Sequence, residues 1–227
     1  MDPKAETSAM LWTGGKDSSL ALYEANKSGC TIKTLVTFVP PNPNFLCHPI
    51  SVMKRQADAL LLPHKTIEVT QPIKQKYVNA VKSLKKELGI TTLITGDLGA
   101  ISGHINWIRE CCEEADLKVI TPLWGQRGSQ IIKKLLRLKF TAVFSCVKAP
   151  WFDSDWLGSK LDSSTFEKLL SLSERTGIDI CGEQGEYHTI ILEGPIFQKN
   201  IRIDASQRRQ KGPLMYLDVQ ELSLVSK

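Results

Sequence analysis

Short apolar runs alternate with longer amphipathic runs across the first 120 residues, and no other feature constrains the fold as strongly. The apolar runs are rich in β-branched residues and are predicted to be strands at 9–12, 31–39, 65–69, 92–95 and 118–120. Amphipathic helices fit the intervals, and Gly29 and Gly89 stand where left-handed C-terminal caps belong. This alternation is typical of a parallel sheet covered by helices, so we predict an α/β fold.

The regular alternation of short apolar runs with longer amphipathic runs changes after residue 125, which predicts a domain boundary there. A basic helix from about Ser129 to Leu138, a strand at 142–146 and a helix from about Ser163 to Arg175 indicate a second, smaller α/β unit that ends in strands. A chain of 227 residues is long enough for two domains. We therefore expect one domain over residues 1–125 and another over 126–227.

A glycine-rich turn joins the first predicted strand to the first predicted helix. It reads Thr13-Gly14-Gly15-Lys16-Asp17-Ser18-Ser19. The glycines let backbone N–H groups turn inward, and the start of the helix presents further N–H groups to an anion. Lys16 adds a positive charge, Ser18 a hydroxyl, and Asp17 a carboxylate that suits Mg²⁺. We predict a site for a nucleotide pyrophosphate, with an ordinary strand–helix turn as the structural alternative; the spacing is neither that of a Walker A loop nor GxGxxG.

Gly96-Asp97 directly follows the predicted strand at 92–95. Ligands of open parallel sheets bind beyond the carboxyl ends of the strands, so we expect Asp97 at the same edge as the glycine-rich loop. There its carboxylate would contact Mg²⁺ or the nucleotide. An Asx-turn or a helix N-cap is the structural alternative.

A second motif, Cys181-Gly182-Glu183-Gln184-Gly185-Glu186-Tyr187-His188-Thr189, lies between predicted strands at 178–180 and 190–192. Two carboxylates that flank a glycine on a turn can converge on one small site. Such a cluster could bind a cation, an amine or ammonia, or orient a substrate, and Glu183 or Glu186 could act as a base. A solvated acidic turn is the structural alternative.

Together these segments resemble the diphthine–ammonia ligase family of the PP-loop ATP pyrophosphatases, or adenine nucleotide alpha hydrolases. The resemblance spans nearly the whole chain, and its motifs are the loop at 13–18, Gly96-Asp97, Pro122-Leu123-Trp124, Leu157-Gly158, Gly182-Glu183-x-Gly185-Glu186-Tyr187 and Gly194-Pro195-Ile196-Phe197. The resemblance implies a Rossmann-like ATP-binding domain and a family-specific C-terminal domain. It also implies a ligase that uses ATP to activate the diphthine carboxylate of elongation factor 2, releases AMP and pyrophosphate, and forms an amide with ammonia.

The resemblance also implies roles for individual residues. Catalysis is expected from Lys16, Asp17, Glu183 and Glu186, and Mg²⁺ binding from Asp17 and Asp97. ATP contacts are expected from Thr13, Gly14, Gly15, Lys16, Asp17, Ser18, Ser19, Gly96 and Asp97. Substrate contacts are expected from Glu183, Glu186, Tyr187, His188 and Thr189.

The sequence departs from the family pattern at positions that bear on the substrate. The biosynthetic pattern usually reads Glu-Gly-Gly-Glu-Tyr/Phe-Glu-Thr, whereas this chain has Gln184 in place of a glycine and His188 in place of the last glutamate. Amidation of a small carboxylate metabolite, such as a corrinoid precursor, is therefore an alternative. A regulatory module that binds ATP or AMP without turnover is another. Glu183 and Glu186, together with the Lys16-Asp17 pair, favour an enzyme.

Composition and charge narrow the class of protein further. Lysine and arginine total 29 against 24 acids, a formal net charge of +5, but most of the basic residues are dispersed and paired with acids, which disfavours a nucleic-acid partner. The 6 cysteines form no CxxC pair and no zinc-type spacing with histidine, so we expect reduced thiols. No apolar run approaches the ~18 residues of a membrane span, and the N-terminus is polar. We expect a cytoplasmic protein without membrane association; a homo-oligomer is compatible with the sequence.

Overall fold

A computed structural model describes residues 6–100 and 107–227 and divides the chain into two compact units. The first unit consists of the chain up to Thr13, Asp17–Pro43 and Leu62–Gly125. The second consists of Gly14–Lys16, Asn44–Leu61 and Gln126–Lys227. Both units are therefore discontinuous in sequence, because two segments of the N-terminal half group with the C-terminal half.

Strands and helices alternate along the chain up to residue 120, as the sequence predicts. In chain order the strands are β1 (Thr7–Leu11), β2 (Thr31–Val39), β3 (His64–Glu68), β4 (Thr92–Ile94), β5 (Lys118–Ile120), β6 (Thr141–Lys148), β7 (Tyr187–Glu193), β8 (Asn200–Lys211) and β9 (Leu214–Val225). The helices are α1 (Lys16–Lys27), α2 (Ile50–Leu60), α3 (Ile73–Leu88), α4 (Trp107–Glu114), α5 (Gly128–Arg137) and α6 (Ser163–Thr176), with a 3₁₀ helix at Ser154–Trp156. Within the described ranges, none of these helices combines the length and the apolar character that a membrane crossing requires.

The sheet of the first unit contains β1 to β5 in the order β3-β2-β1-β4-β5, with every pair parallel. Ala9, Val36 and Leu93 from the sheet are fully buried, and they cluster with α3 and α4 through Val81 and Cys112. Parallel strands that are covered in this way read as continuous apolar runs, which is why the sequence revealed them. The prediction of a Rossmann-like parallel sheet is confirmed.

The order of the strands reverses between β1 and β4, and such a reversal creates a crevice at the carboxyl ends of the two strands. The glycine-rich loop follows β1, and Gly96-Asp97 follows β4. Both segments therefore come at the end of a strand that flanks the reversal. Gly29 and Gly89 adopt φ of 85° and 64°, which confirms the two left-handed caps after α1 and α3.

The second unit contains an antiparallel sheet in the order β7-β6-β9-β8. Helix α2 packs on this sheet, and its Val52 clusters with Val143 of β6 and Ile190 of β7. The predicted strand at 178–180 is wrong, since these residues lie in a loop and a turn. The antiparallel pairing is a finding that the sequence pattern did not specify.

Candidate functional site

Gly14 is the residue of the glycine-rich loop whose conformation only glycine readily adopts. Its φ is 73°, and its carbonyl accepts hydrogen bonds from Gln56 Nε2 at 2.8 Å and from the Ile191 amide at 3.0 Å. A Cβ at this position would clash with Gln56 Oε1. Gln56 is fully buried in α2 and also donates to the Ile191 carbonyl at 2.8 Å. One buried amide therefore joins the loop to β7, and sequence reasoning missed it.

Lys16 connects the loop with the second motif. Its backbone N–H donates to Thr189 Oγ1 at 3.2 Å, and its Nζ lies 5.4 Å from the centre of the Tyr187 ring. The Lys16 residue is only 5% exposed, so a positive charge is held on the face of an aromatic ring with little solvent around it. The structure thus brings Lys16 into contact with Tyr187 and Thr189, each of which lies more than 170 positions further along the sequence.

The first turn of α1 contains the remaining hydroxyl and carboxylate groups of the loop. Thr13 Oγ1 donates to Ser18 Oγ at 3.2 Å, and Ser18 and Ser19 are both buried. The N–H groups of a first helical turn have no acceptor within the helix, and the helix dipole is positive there. This set of donors has the chemistry that a phosphate group needs.

Gly96 packs directly against this first turn. A Cβ on Gly96 would lie 2.8 Å from the carbonyl carbon of Asp17 and 2.8 Å from the amide nitrogen of Ser18, so only glycine allows the two backbones to approach so closely. The next residue, Asp97, accepts a hydrogen bond from the buried Thr95 hydroxyl at 2.7 Å, and this bond fixes the orientation of its carboxylate. Gly96-Asp97 therefore lies beside the glycine-rich loop.

The two glutamates of the second motif have different surroundings. Glu186 is 3% exposed, and its two carboxylate oxygens accept backbone N–H groups of Asp179 and Gln184, each at 2.9 Å. Glu183 is partly exposed, and its own N–H points to Asp179 Oδ1 at 3.4 Å. Tyr187 is buried and donates its hydroxyl to the Ile180 carbonyl at 2.7 Å. Glu186 and Tyr187 thus fix the shape of the turn, whereas Glu183 lies on its accessible side.

His188 faces residues from the segment before α2. Its Nδ1 lies 3.2 Å from His48 Nε2, and the two rings meet edge to face with their centres 5.0 Å apart. Burial, together with the charges of His188 and Lys16, lowers the pKa of His48 to about 3, so His48 is neutral at physiological pH. Sequence reasoning assigned no site role to His48, because an isolated histidine in a proline-rich loop carries no local signal.

Comparisons with known proteins cover almost the whole chain. A family model described as the diphthamide synthase N-terminal domain matches residues 6–119, and one described as the diphthamide synthase C-terminal domain matches residues 128–225. Diphthine–ammonia ligase of Bos taurus is 27% identical over 254 residues and aligns with 96% of this chain and 92% of its own length. The same-named protein of Danio rerio is 26% identical, with 87% and 86% covered.

Other matches are shorter or more distant. Human diphthine–ammonia ligase is 31% identical over 138 residues, which cover 57% of this chain and 51% of the human protein. A solved structure described as a predicted subunit of tRNA methyltransferase from Methanocaldococcus jannaschii superposes with a TM-score of 0.44 at 19% identity, covering 83% of this chain and 97% of that one. This structural similarity is too distant to bear on fold or function.

Proposed function

Because the chain belongs to the diphthamide synthase family, we propose that it is an ATP-dependent ligase that joins ammonia to a carboxylate, as its diphthine–ammonia ligase relatives are named to do. The family to which the two motifs pointed is confirmed. The observation that carries the proposal is the contact of Lys16 with Tyr187 and Thr189, since it joins the phosphate-type loop to the motif that is specific to the family. The proposed acyl substrate is the diphthine side chain of elongation factor 2.

The proposed reaction has two steps. A carboxylate oxygen of the substrate attacks the α-phosphorus of ATP. The bond between this phosphorus and the oxygen that bridges the α- and β-phosphates then breaks, and pyrophosphate is released. The nitrogen of ammonia then attacks the acyl carbon of the adenylate, AMP leaves, and a proton passes from the nitrogen to a base. The amide and AMP are the products.

The loop would bind the phosphates and stabilise the departing pyrophosphate. The Lys16 ammonium lies over the Tyr187 ring and the first N–H groups of α1 are fixed by the helix, so little reorganisation would oppose the charge that develops on the leaving group. Thr13, Gly15 and the two serines would complete the contacts to ATP. A magnesium ion held by Asp17 and Asp97 would neutralise further phosphate charge, since carboxylate oxygens are the ligands that Mg²⁺ prefers.

The second motif would bind ammonia and the acyl group. Glu183 is the proposed base, because its side chain is partly exposed, whereas both Glu186 oxygens already accept backbone hydrogen bonds. Glu186 is therefore proposed as a positioning residue that holds Glu183 in place. His188 and Thr189 would contact the substrate. His188 packs on His48 where the family pattern has a glutamate, and this difference is the reason to test small carboxylates as well.

An assay that separates AMP from ADP tests the proposal. Radiolabelled ATP, Mg²⁺ and ammonium chloride are incubated with the protein and either diphthine-bearing elongation factor 2 or a metabolite extract. AMP and pyrophosphate with the elongation factor alone would establish the diphthine substrate, and AMP with the extract alone would indicate a small carboxylate such as a corrinoid precursor. ATP that is retained uncleaved in every mixture would contradict the ligase and indicate a binding module.

A matched pair of lysine variants makes the assay specific to the loop. Lys16→Met is expected to abolish AMP release because the buried ammonium is lost. Lys82→Met removes an exposed lysine from α3 and is expected to leave the rate unchanged. Equal activity in both variants would show that Lys16 has no part in the reaction.

A further inference from the structure

Cys47 and Cys146 lie in contact within the second unit, although they are 99 positions apart in the sequence. The hydroxyl of Ser145 donates to the carbonyl of Cys47 at 2.7 Å, which fixes the segment before α2 against β6. The next residue of β6 is Cys146, and its thiol hydrogen-bonds the Cys47 sulfur. A disulfide requires two sulfur atoms that can come within bonding distance, and two thiols that are hydrogen-bonded to each other are already neighbours.

The two thiols differ in access and in acidity. Cys146 is fully buried, whereas Cys47 is partly exposed. The hydrogen bond from Cys146, with a smaller contribution from the hydrogen bond and charge of His188, lowers the pKa of Cys47 to about 5 against the opposing effect of burial. The same pairing and burial raise the pKa of Cys146. Cys47 is therefore the thiolate that is accessible to a reagent, and the protonated Cys146 thiol is hydrogen-bonded to it.

His188 reinforces this arrangement from the neighbouring strand. It lies opposite Cys146 in the antiparallel register of β6 and β7. Its side chain hydrogen-bonds Cys47 and also contacts the neutral His48 ring. An accessible thiolate, a histidine beside it and a second cysteine in contact are the parts of a reactive thiol with its resolving partner.

We propose that Cys47 and Cys146 form a reversible oxidation site that reacts with hydrogen peroxide and closes to a disulfide. The Cys47 thiolate attacks one peroxide oxygen, the O–O bond breaks, and Cys47 sulfenic acid and hydroxide are formed. The Cys146 sulfur then attacks the Cys47 sulfur, the S–O bond breaks, and the departing hydroxide takes up the Cys146 proton to form water. Each cysteine gives one electron, and peroxide takes up two. This site does not depend on the proposed ligase activity.

Disulfide mapping tests the proposal directly. The reduced full-length protein is treated with hydrogen peroxide in the presence of a metal chelator, remaining thiols are blocked with N-ethylmaleimide, and the product is digested with trypsin. The expected species joins peptide 34–54, which contains Cys47, to peptide 140–148, which contains Cys146. It should disappear after treatment with dithiothreitol. Oxidised protein without this cross-linked species would overturn the proposal.

Three variants separate the attacking thiol from the resolving thiol. Cys146→Ser should stop at the sulfenic acid, so that dimedone labels Cys47, whereas Cys47→Ser should leave Cys146 unmodified. Cys30→Ser is the matched control, because Cys30 is also partly exposed but its pKa is raised, chiefly by burial. Its cross-link should match that of the unchanged protein. Equal dimedone labelling of Cys30 and Cys47 in the Cys146→Ser protein would contradict the assigned order.

The pH dependence of alkylation gives an independent readout. A thiol that is already ionised should react with iodoacetamide at a rate that is nearly constant between about pH 6 and pH 8. The rate at Cys30 should instead rise about tenfold per pH unit, since its thiolate is a small fraction over that range. Near pH 6 we expect Cys47 to react at least about tenfold faster than Cys30. A Cys47 rate that rises with pH as steeply as that of Cys30 would overturn the role of its thiolate.

Discussion

At the scale of single residues, Gly14 shows how backbone conformation and a side-chain contact act together. Gly14→Ala would place a Cβ at φ 73° and against Gln56, whereas Gly29→Ala would place one at φ 85° with no atom within 4 Å. The conformational penalty alone is about 1–2 kcal/mol. We expect urea denaturation to give that loss of unfolding free energy for Gly29→Ala and a larger loss for Gly14→Ala.

A double-mutant cycle tests whether the clash with Gln56 causes the larger loss of unfolding free energy in Gly14→Ala. In a Gln56→Ala protein the clashing amide is absent, so adding Gly14→Ala should cost less than it does in the unchanged protein. Gln56→Ala alone is destabilising, because the carbonyl groups of Gly14 and Ile191 each lose a buried hydrogen bond. If the losses of unfolding free energy from the two substitutions are strictly additive, the predicted clash with Gln56 does not contribute to the cost of Gly14→Ala.

Glu186 and Glu183 are predicted to fail in different ways when each is changed to glutamine. Glu186→Gln turns one acceptor of a backbone N–H into a donor, so we expect a loss of about 1–3 kcal/mol in unfolding free energy. Glu183→Gln changes a partly exposed carboxylate and is expected to alter stability by less than about 0.5 kcal/mol while lowering AMP formation. Urea titrations and the AMP assay on both variants test this contrast. Unchanged stability of Glu186→Gln would show that the Glu186 carboxylate does not hold the turn in its shape.

The sequence indicated the two motifs but not the residues that join them. Motifs 13–19 and 181–189 are continuous strings whose composition carries a chemical signal. Gln56 contacts residues 42 and 135 positions away, so its partners are invisible in a local pattern. One signal was nevertheless present, since Gln56 is a polar residue within the apolar face that α2 buries through Val52, Met53 and Leu60.

At the scale of elements, predicted strands succeeded where backbone groups pair with other strands and failed where side chains replace that pairing. β2 and β5 have the bounds expected from their apolar runs. The run Ile178-Asp179-Ile180 has an alternating pattern, but the Glu186 carboxylate accepts the Asp179 N–H, and Asp179 itself accepts the Cys181 N–H at 2.7 Å. These carboxylates satisfy backbone donors in a turn, and a periodic pattern contains no information on such contacts.

The N-terminus of α6 offers a test of a single cap. Asp162 Oδ1 accepts the Thr165 N–H at 2.9 Å, and Thr165 Oγ1 accepts the Asp162 N–H at 2.7 Å. Asp162→Ala should lower the unfolding free energy by about 1 kcal/mol in a urea titration at neutral pH. Asp162→Asn keeps the acceptor and should lose less.

The same cap should respond to acid in a defined direction. The hydrogen bond from the Thr165 backbone is the main cause that lowers the pKa of Asp162 below its ordinary value. Its contribution is therefore present at pH values above about 3.8, the unfolded value, and is lost as the pH falls through the lower folded value. The stability difference between the unchanged protein and Asp162→Ala should shrink in that window. A difference that stays constant down to the acid transition would contradict the charged cap.

At the scale of the whole molecule, the order of the sequence does not follow the division into compact units. The rhythm of the sequence changes at residue 125, but the segment Asn44–Leu61 groups with the C-terminal sheet and carries Cys47, His48 and Gln56 there. A domain boundary that is predicted from periodicity cannot show that an N-terminal segment packs with the C-terminal sheet, because α2 has the same amphipathic pattern whichever sheet it covers. The packing partners of a segment are a property of the folded chain.

Nucleotide binding should appear as a gain in the stability of the intact protein. A ligand that binds only the folded state adds about 2.7 kcal/mol of unfolding free energy at about 100 times its Kd. We expect MgATP to shift the urea midpoint upwards, and EDTA in place of Mg²⁺ to reduce the shift, because phosphate charge is then neutralised by Lys16 and the start of α1 alone. Lys16→Met should lose most of the shift, whereas Lys82→Met should keep it. An equal shift in both variants would mean that ATP binds away from the glycine-rich loop, and AMP release would then have to be explained by another site.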